Sequence, residues 1–289
     1  MEPAARILAL LSFVGSLAAA TGVAAAGQAS PAPSPAASVA AAAGPSDPCG
    51  SIISIVTRPT VTTSVCTVRT GRVLIENGYT NTATTGPGGG VTVSYPQSLI
   101  RIGTSDPHLE FSVTPPSFNR SSLGGSIATG YSDINVGAKY EIGYNRTASW
   151  GANAFVTIPT GARAFTAGAA QYTGNVNWSD AIGPVFSVSG TFGFNALNGY
   201  NSAGNVQPYF SFIPSVVLAA GLPGPSSAFA EYAYFSQTGP GLGSKSLIDF
   251  GYSHDLGRNV QVDIEYGFSP TPINGQKSSY TGAGLSLMF

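Results

Sequence analysis

Charged side chains stand two residues apart inside otherwise apolar runs of this chain. Lys139 and Glu141 form one such pair, and Asp263 and Glu265 form another within the alternating run Asn259–Phe268. Successive side chains of a β-strand point to opposite faces, so both members of a pair share one face and the apolar residues share the other. Charges that face a common enclosed space could steer, bind or exclude a polar solute.

Other carboxylates occupy equivalent positions in similar runs, and Glu231 is one of them. Together with the two pairs they form a set of candidate lumen-lining residues, namely Glu76, Glu110, Lys139, Glu141, Glu231, Asp249, Asp263 and Glu265. Two interpretations of this set stay open. The charges could line a net acidic path that tunes which solutes pass, or they could form ion pairs that fill a sealed interior.

Catalytic and metal chemistry find little support in the sequence. The two histidines are His108 and His254, and no Cys/His cluster has the spacing of a metal site. Ser253 and Asp255 flank His254, but adjacent strand residues point to opposite faces, and no Gly-x-Ser-x-Gly elbow is present. We therefore predict a protein that is not an enzyme and that needs neither a metal nor another cofactor. A Ser/His hydrolase remains the weakest alternative.

The composition favours an all-β protein whose outer surface is not hydrated. Only 9% of the 289 residues are charged, whereas ordinary soluble domains carry about 25%. Gly (37) and Pro (21) are abundant, as are Tyr and Phe. The net charge of -1 gives no electrostatic footprint for a nucleic acid, so nucleic acid is not an expected partner.

From about Arg72 onward the chain forms roughly a dozen runs of about ten residues each, a length that suits a tilted transmembrane strand. Short connections such as Asn145-Arg146 alternate with longer ones such as Ser117–Gly130 and Thr82–Val91. This asymmetry is typical of outer-membrane hairpins. We predict a closed antiparallel up-and-down transmembrane β-barrel of about 12 strands, with short periplasmic turns and longer outer loops.

A soluble β-sandwich is the competing fold, because its strands alternate as well. Its charges should then cover the outer face and recur in the loops. Here the loops are nearly uncharged and the carboxylates lie inside strands. A Lys on a lipid-facing surface at mid-membrane costs roughly 2–4 kcal/mol, so the charged face of a barrel must point inward.

The N-terminal part of the chain differs from the barrel region. Residues 1–26 resemble a signal peptide, although cleavage in the second alanine run (40–43) and a retained anchor helix are alternatives. Residues 27–48 read as an Ala/Pro-rich linker. Residues 49–71 are predicted to be a periplasmic segment in which Cys49 and Cys66 form a disulfide. Residues 72–289 are assigned to the barrel.

Four segments resemble a known family. They are Leu99–Gly103 leading to His108–Phe111, Gly130–Tyr140, Ile158–Gly161 and Tyr280–Ser286. Their order is similar to that in Gram-negative outer-membrane barrels of the phenol-degradation meta-pathway family, whose members are often named simply "transporter". The resemblance covers roughly residues 72–289. It implies a bacterial outer-membrane location and uptake of small, hydrophobic or aromatic solutes.

The resemblance also implies partners. The barrel would contact outer-membrane lipid and small-molecule solute, and Phe289 resembles the terminal aromatic read by the barrel-assembly machinery. The leading hypothesis is a passive channel or transporter. A sealed structural barrel that acts through its outer loops, such as the Gly-rich stretch Gly86–Gly90, is the alternative.

Overall fold

The computed structural model describes residues 47–289. The predicted signal peptide and almost all of the predicted linker lie outside the described residues. No helix within the described part is both long and apolar enough to cross a membrane.

One short helix, α1 (Ile52–Ile55), precedes fifteen antiparallel strands. The strands are β1 (Val73–Thr85), β2 (Gly90–Tyr95), β3 (Leu99–Gly103), β4 (Leu109–Thr114), β5 (Phe118–Leu123), β6 (Ser126–Tyr131), β7 (Ile134–Tyr144), β8 (Ala148–Ile158), β9 (Gln171–Ile182), β10 (Phe186–Tyr200), β11 (Val206–Leu222), β12 (Ser226–Phe235), β13 (Lys245–Asp255), β14 (Val260–Phe268) and β15 (Lys277–Met288).

Three strands of the barrel are interrupted, so that β2 with β3, β4 with β5 and β6 with β7 each count as one barrel strand. The fifteen segments therefore form a barrel of twelve strands. Pro96 separates β2 from β3, and Pro115-Pro116 separates β4 from β5, because proline has no N–H to donate to a ladder. A third break at Ser132-Asp133 separates β6 from β7. β1 pairs with β3 in its first third and with β2 further along, so the two short strands continue one another.

The sheet closes on itself. Neighbouring barrel strands pair in order around the barrel, and β1 pairs with β15 from Leu74↔Met288 to Thr85↔Lys277. The predicted closed antiparallel barrel of 12 strands is therefore confirmed. The sandwich alternative is wrong, because an open sandwich would leave β1 and β15 as unpaired edges.

Two predicted loops are largely strand. β1 continues to Thr85, so Thr82–Val91 shrinks to a tight turn, and most of Ser117–Gly130 forms the β5–β6 hairpin. That hairpin turns at Gly124 (φ 56) and Gly125 (φ 79), where glycine permits the left-handed backbone of a two-residue turn. Small Ser, Thr and Gly residues in these strands gave too weak an alternation for the sequence to reveal them.

The two faces of the barrel have opposite character. Outward-facing positions carry large apolar side chains that stay exposed, among them Phe111, Ile142, Trp150, Phe194, Phe210, Phe250, Ile264 and Tyr266. Inward-facing positions carry buried polar and charged groups. This inversion of the soluble pattern is the arrangement that a hydrocarbon environment stabilises.

Candidate functional site

Residues 49–69, which we call the plug, lie inside the barrel and contact its inward-facing side chains. Glu76 accepts hydrogen bonds from the backbone N–H groups of Thr57 and Arg58, each at 3.0 Å. Glu231, on β12, accepts those of Val61 (2.7 Å) and Thr62 (2.6 Å). The sequence placed this segment in the periplasm. It enters the barrel because its irregular backbone finds acceptors on the inward carboxylates.

Arg101 is the centre of the charge network around the plug. Its side chain is 1% exposed and forms ion pairs with Glu76 (Nη1 to Oε1, 2.9 Å) and Glu110 (Nε to Oε1, 2.8 Å). It also donates to the carbonyl oxygens of Ile55 and Cys66. One guanidinium therefore joins three elements of the wall and two points of the plug, which suits the fixed fork of an Arg side chain.

Sequence reasoning missed Arg101, although a signal was present. Arg101 lies in β3 between Ile100 and Ile102, and Ile102 is exposed on the outer surface. The same alternation that placed the acidic residues inside therefore places this cation there too.

The first predicted pair, Lys139 and Glu141, is buried within the same network. Lys139 Nζ donates to the carbonyl oxygen of Ser64 at 2.8 Å and lies 4.0 Å from Glu110 Oε1. Glu141 accepts from Arg69 Nη1 at 3.3 Å. Both side chains thus hold the plug in place.

The second predicted pair lies across the interior. Arg58 of the plug is 3.6 Å from Asp263 and 3.7 Å from Glu265, measured from Nη2 to the nearer carboxylate oxygens. Asp249 is fully buried and accepts a hydrogen bond from the Tyr280 hydroxyl at 2.9 Å. The acidic wall of β12–β14 is therefore only partly neutralised by the plug.

The plug has its own small apolar core. The predicted disulfide between Cys49 and Cys66 is present. It packs with a cluster of buried apolar side chains, which comprises Ile52, Ile55, Val56, Val65, Val68 and Leu74 of β1. The disulfide closes the loop that carries the plug contacts.

Two of the cavities among the described residues lie along the inner wall of the barrel. The outer cavity, of about 590 Å³, is lined by side chains near the long-loop end, including Tyr209, Ser211, Ile213 and Lys245. The inner cavity, of about 370 Å³, lies between the plug and the β8–β12 wall, where Val217 is one of the lining residues. Serine residues form much of its lining, among them Ser149, Ser179, Ser187, Ser189 and Ser227.

The outer surface carries a Ser/His contact that the sequence did not reveal. Ser226 Oγ lies 2.8 Å from His254 Nδ1, and Tyr252 stacks on the His254 ring. Register pairing of β12 with β13 brings the two residues together from 28 positions apart. Within residues 47–289, no carboxylate accepts a hydrogen bond from this imidazole, so the contact lacks the orienting group of a catalytic triad.

The C-terminal residue closes the sheet. The N–H of Phe289 donates to the carbonyl oxygen of Val73 at 2.8 Å, and the Val73 N–H donates back at 3.2 Å. Its ring is 64% exposed. The role of this ring as an assembly signal stays a prediction.

A family model described as "Putative MetA-pathway of phenol degradation" matches residues 57–288. The chain belongs to this family. The resemblance found in the sequence is thus confirmed, and the match includes most of the plug as well as the barrel. No curated protein matches the chain.

Two solved structures share the architecture. The COG4313 outer membrane channel from Pseudomonas putida F1 is 11% identical, with a TM-score of 0.62 over 80% of this chain and 100% of that one. The NanC porin is 9% identical, with a TM-score of 0.51 over 73% of this chain and 98% of that one. At such identities the likeness concerns the fold, which is that of outer-membrane channel barrels.

Proposed function

We propose that the protein is a passive channel of the bacterial outer membrane for small solutes, and that the plug tip, Val61–Thr63, separates its two cavities. The closed barrel with an apolar outer belt supports the membrane location. Membership of the family and the likeness to outer-membrane channels support a role in passage.

The arrangement along β11 carries the proposal. Its inward-facing residues Ser211 and Ile213 line the outer cavity, and Val217 and Ala219 line the inner one. Only Ser215 lies between them on the same face, and its Oγ is 2.7 Å from Thr62 Oγ1 of the plug. The two cavities are therefore separated by about one layer of side chains, since alternate strand residues are roughly 7 Å apart.

Neighbouring strands complete this constriction. On β10, Thr191 Oγ1 accepts a hydrogen bond from the Thr63 N–H at 3.0 Å. On β12, the Glu231 carboxylate holds the N–H groups of Val61 and Thr62. Small polar side chains thus hold the plug tip in place, and a modest shift of residues 61–63 would join the cavities. A passage opened by so small a shift would suit small solutes.

The experiment removes the hydroxyl contact between Thr62 and Ser215 and leaves the hydrogen bonds of the plug-tip N–H groups intact. The double variant Thr62→Ala/Ser215→Ala should raise single-channel conductance and liposome swelling with small sugars several-fold over the wild type. Thr92→Ala/Ser121→Ala removes a comparable hydroxyl pair (3.0 Å) that lines neither cavity, and should leave both readouts unchanged.

The alternative function, a sealed barrel that acts through its outer loops, makes the opposite prediction. In that case the wild type and both double variants would show neither conductance nor swelling. Native-like gel mobility of each unboiled variant would establish that the barrels had folded.

A further inference from the structure

We propose that the outer cavity binds small amphipathic anions, with Lys245 holding the anionic group. This inference rests on the proposed channel function and names the class of solute that enters it. It goes beyond passage itself because it assigns a binding site to particular residues.

The cavity offers an apolar surface of suitable size. Its lining includes aromatic and branched side chains, namely Leu197, Tyr209, Ile213, Phe235, Leu242 and Ile273. Its volume of about 590 Å³ lies within the range of small-molecule sites. Sites of this kind bind the apolar body of a ligand and orient it with a few polar groups.

The charged side chains in the lining of the outer cavity are all positive. Lys245 and Lys277 line the cavity, and no Asp or Glu does so among the described residues. Lys245 shares the inward face of β13 with Leu247 and Asp249, and within residues 47–289 no carboxylate lies within 4.0 Å of its ammonium group. Asp249 is four positions deeper, roughly 13 Å along the strand. The ammonium group is therefore available to an anion in the cavity.

The outer end of the barrel has the same sign of charge. Arg120 on β5 and Arg163 in the β8–β9 loop add two cations there. Asp133 is the acidic residue at that end of the described chain, and its two oxygens accept the N–H groups of Gly161 and Ala167. An excess of cations at this end of the barrel raises the local concentration of anions and their rate of entry.

The inner cavity itself does not repel an anion. The lining of the inner cavity holds hydroxyl and apolar groups and no charged side chain. At the constriction, Glu231 is engaged by the N–H groups of Val61 and Thr62. Asp263 and Glu265 belong to β14, which contributes no residue to the lining of either cavity.

The experiment measures binding directly, with full-length protein in detergent and isothermal titration calorimetry. Four probes separate the contribution of the apolar body from that of the anionic group. They are benzoate, benzyl alcohol, benzylamine and acetate. Benzoate should bind more tightly than each of the others, because it alone combines an apolar body with an anionic group. Lys245→Gln should weaken benzoate binding about tenfold and leave benzyl alcohol unchanged, as expected for loss of one charge-assisted contact.

Two further variants make the result specific. Lys245→Arg keeps the charge and should retain most of the affinity for benzoate. Arg120→Gln removes an exposed outer-end cation that does not line the cavity, and should leave the affinity unchanged. Equal affinity for benzoate and benzyl alcohol, or an affinity indifferent to Lys245→Gln, would overturn the inference.

Failure of this inference is distinguishable from failure of the proposed function. A protein that conducts but binds benzoate without regard to Lys245 refutes the anion site and leaves the channel intact. A protein that binds benzoate through Lys245 but conducts nothing supports the site and refutes the channel.

Discussion

At the scale of single residues, the interior charges act mainly on the protein itself. Arg101, Glu76 and Glu110 are all nearly fully buried and are bonded both to one another and to plug backbone atoms. The sequence left open whether the inward charges select solutes or form ion pairs that fill the interior. In the structure, many of these charged side chains hold the plug. Its backbone N–H and C=O groups would otherwise lack hydrogen-bond partners.

Arg101→Ala should destabilise the protein and loosen the plug. The substitution leaves Glu76 and Glu110 buried without their cation, and loss of one partner of a buried ion pair costs about 3–5 kcal/mol. We expect a lower midpoint of urea unfolding in lipid vesicles and a larger single-channel conductance. Arg120→Ala, at an exposed position of β5, is the matched control. If both variants behave alike, the Arg101 network is not what retains the plug.

At the scale of elements, the plug is a disulfide-closed segment attached to a rigid wall. Cys49 and Cys66 are 17 positions apart, and the intervening residues include the tip that meets Ser215 and Glu231. The barrel strands do not depend on this bond, because their ladders are complete without it. The disulfide should therefore stabilise the plug and leave the barrel unaffected.

Cys49→Ser/Cys66→Ser should free the plug selectively. In the chain-entropy model, closing a loop of this size contributes about 3 kcal/mol, all of which would be lost from the plug. We expect faster tryptic cleavage after Arg69 and a noisier, larger conductance, with the gel mobility of the folded barrel unchanged. Dithiothreitol should reproduce the effect in the wild type and have no effect on the variant. Cleavage at the wild-type rate would argue that the barrel contacts alone fix the plug.

At the scale of the whole molecule, the distribution of apolar and polar side chains is the reverse of that in a soluble protein. Its large apolar side chains face outward around a closed sheet, and its polar groups fill the interior. The folding free energy lost through a surface substitution should therefore depend more on the position of the residue along the barrel axis than on its exposure.

A pair of equally exposed residues tests this statement. Ile264, at the centre of β14, is 60% exposed, and Leu256, in the β13–β14 turn, is 61% exposed. Ile264→Lys should cost roughly 2–4 kcal/mol of folding free energy in lipid vesicles, because it places a cation at the bilayer midplane. Leu256→Lys should cost far less. Equal and small costs would mean that the β14 surface does not face lipid.

Much of the fold was predictable from the sequence, and the reason is local. Period-two alternation in runs such as Val260–Phe268 is set by backbone geometry and gives both the strands and their inner and outer faces. The β5–β6 hairpin escaped prediction because its Ser, Thr and Gly residues fit either face.

The candidate site was predictable only in part. The buried position of Lys139, Glu141, Asp263 and Glu265 follows from alternation, and it would have revealed Arg101 as well. The partners of these residues did not follow, because a contact such as Glu231 with Thr62 joins residues 169 positions apart.

The sequence by itself thus determined the strand faces and the family, since both depend on neighbouring residues. Only the tertiary structure decided that residues 49–69 occupy the interior and divide it into two cavities. That outcome depends on the width of a closed barrel and on which inward carboxylates meet unpaired N–H groups. Both are properties of the assembled sheet, and no local segment of the chain encodes them.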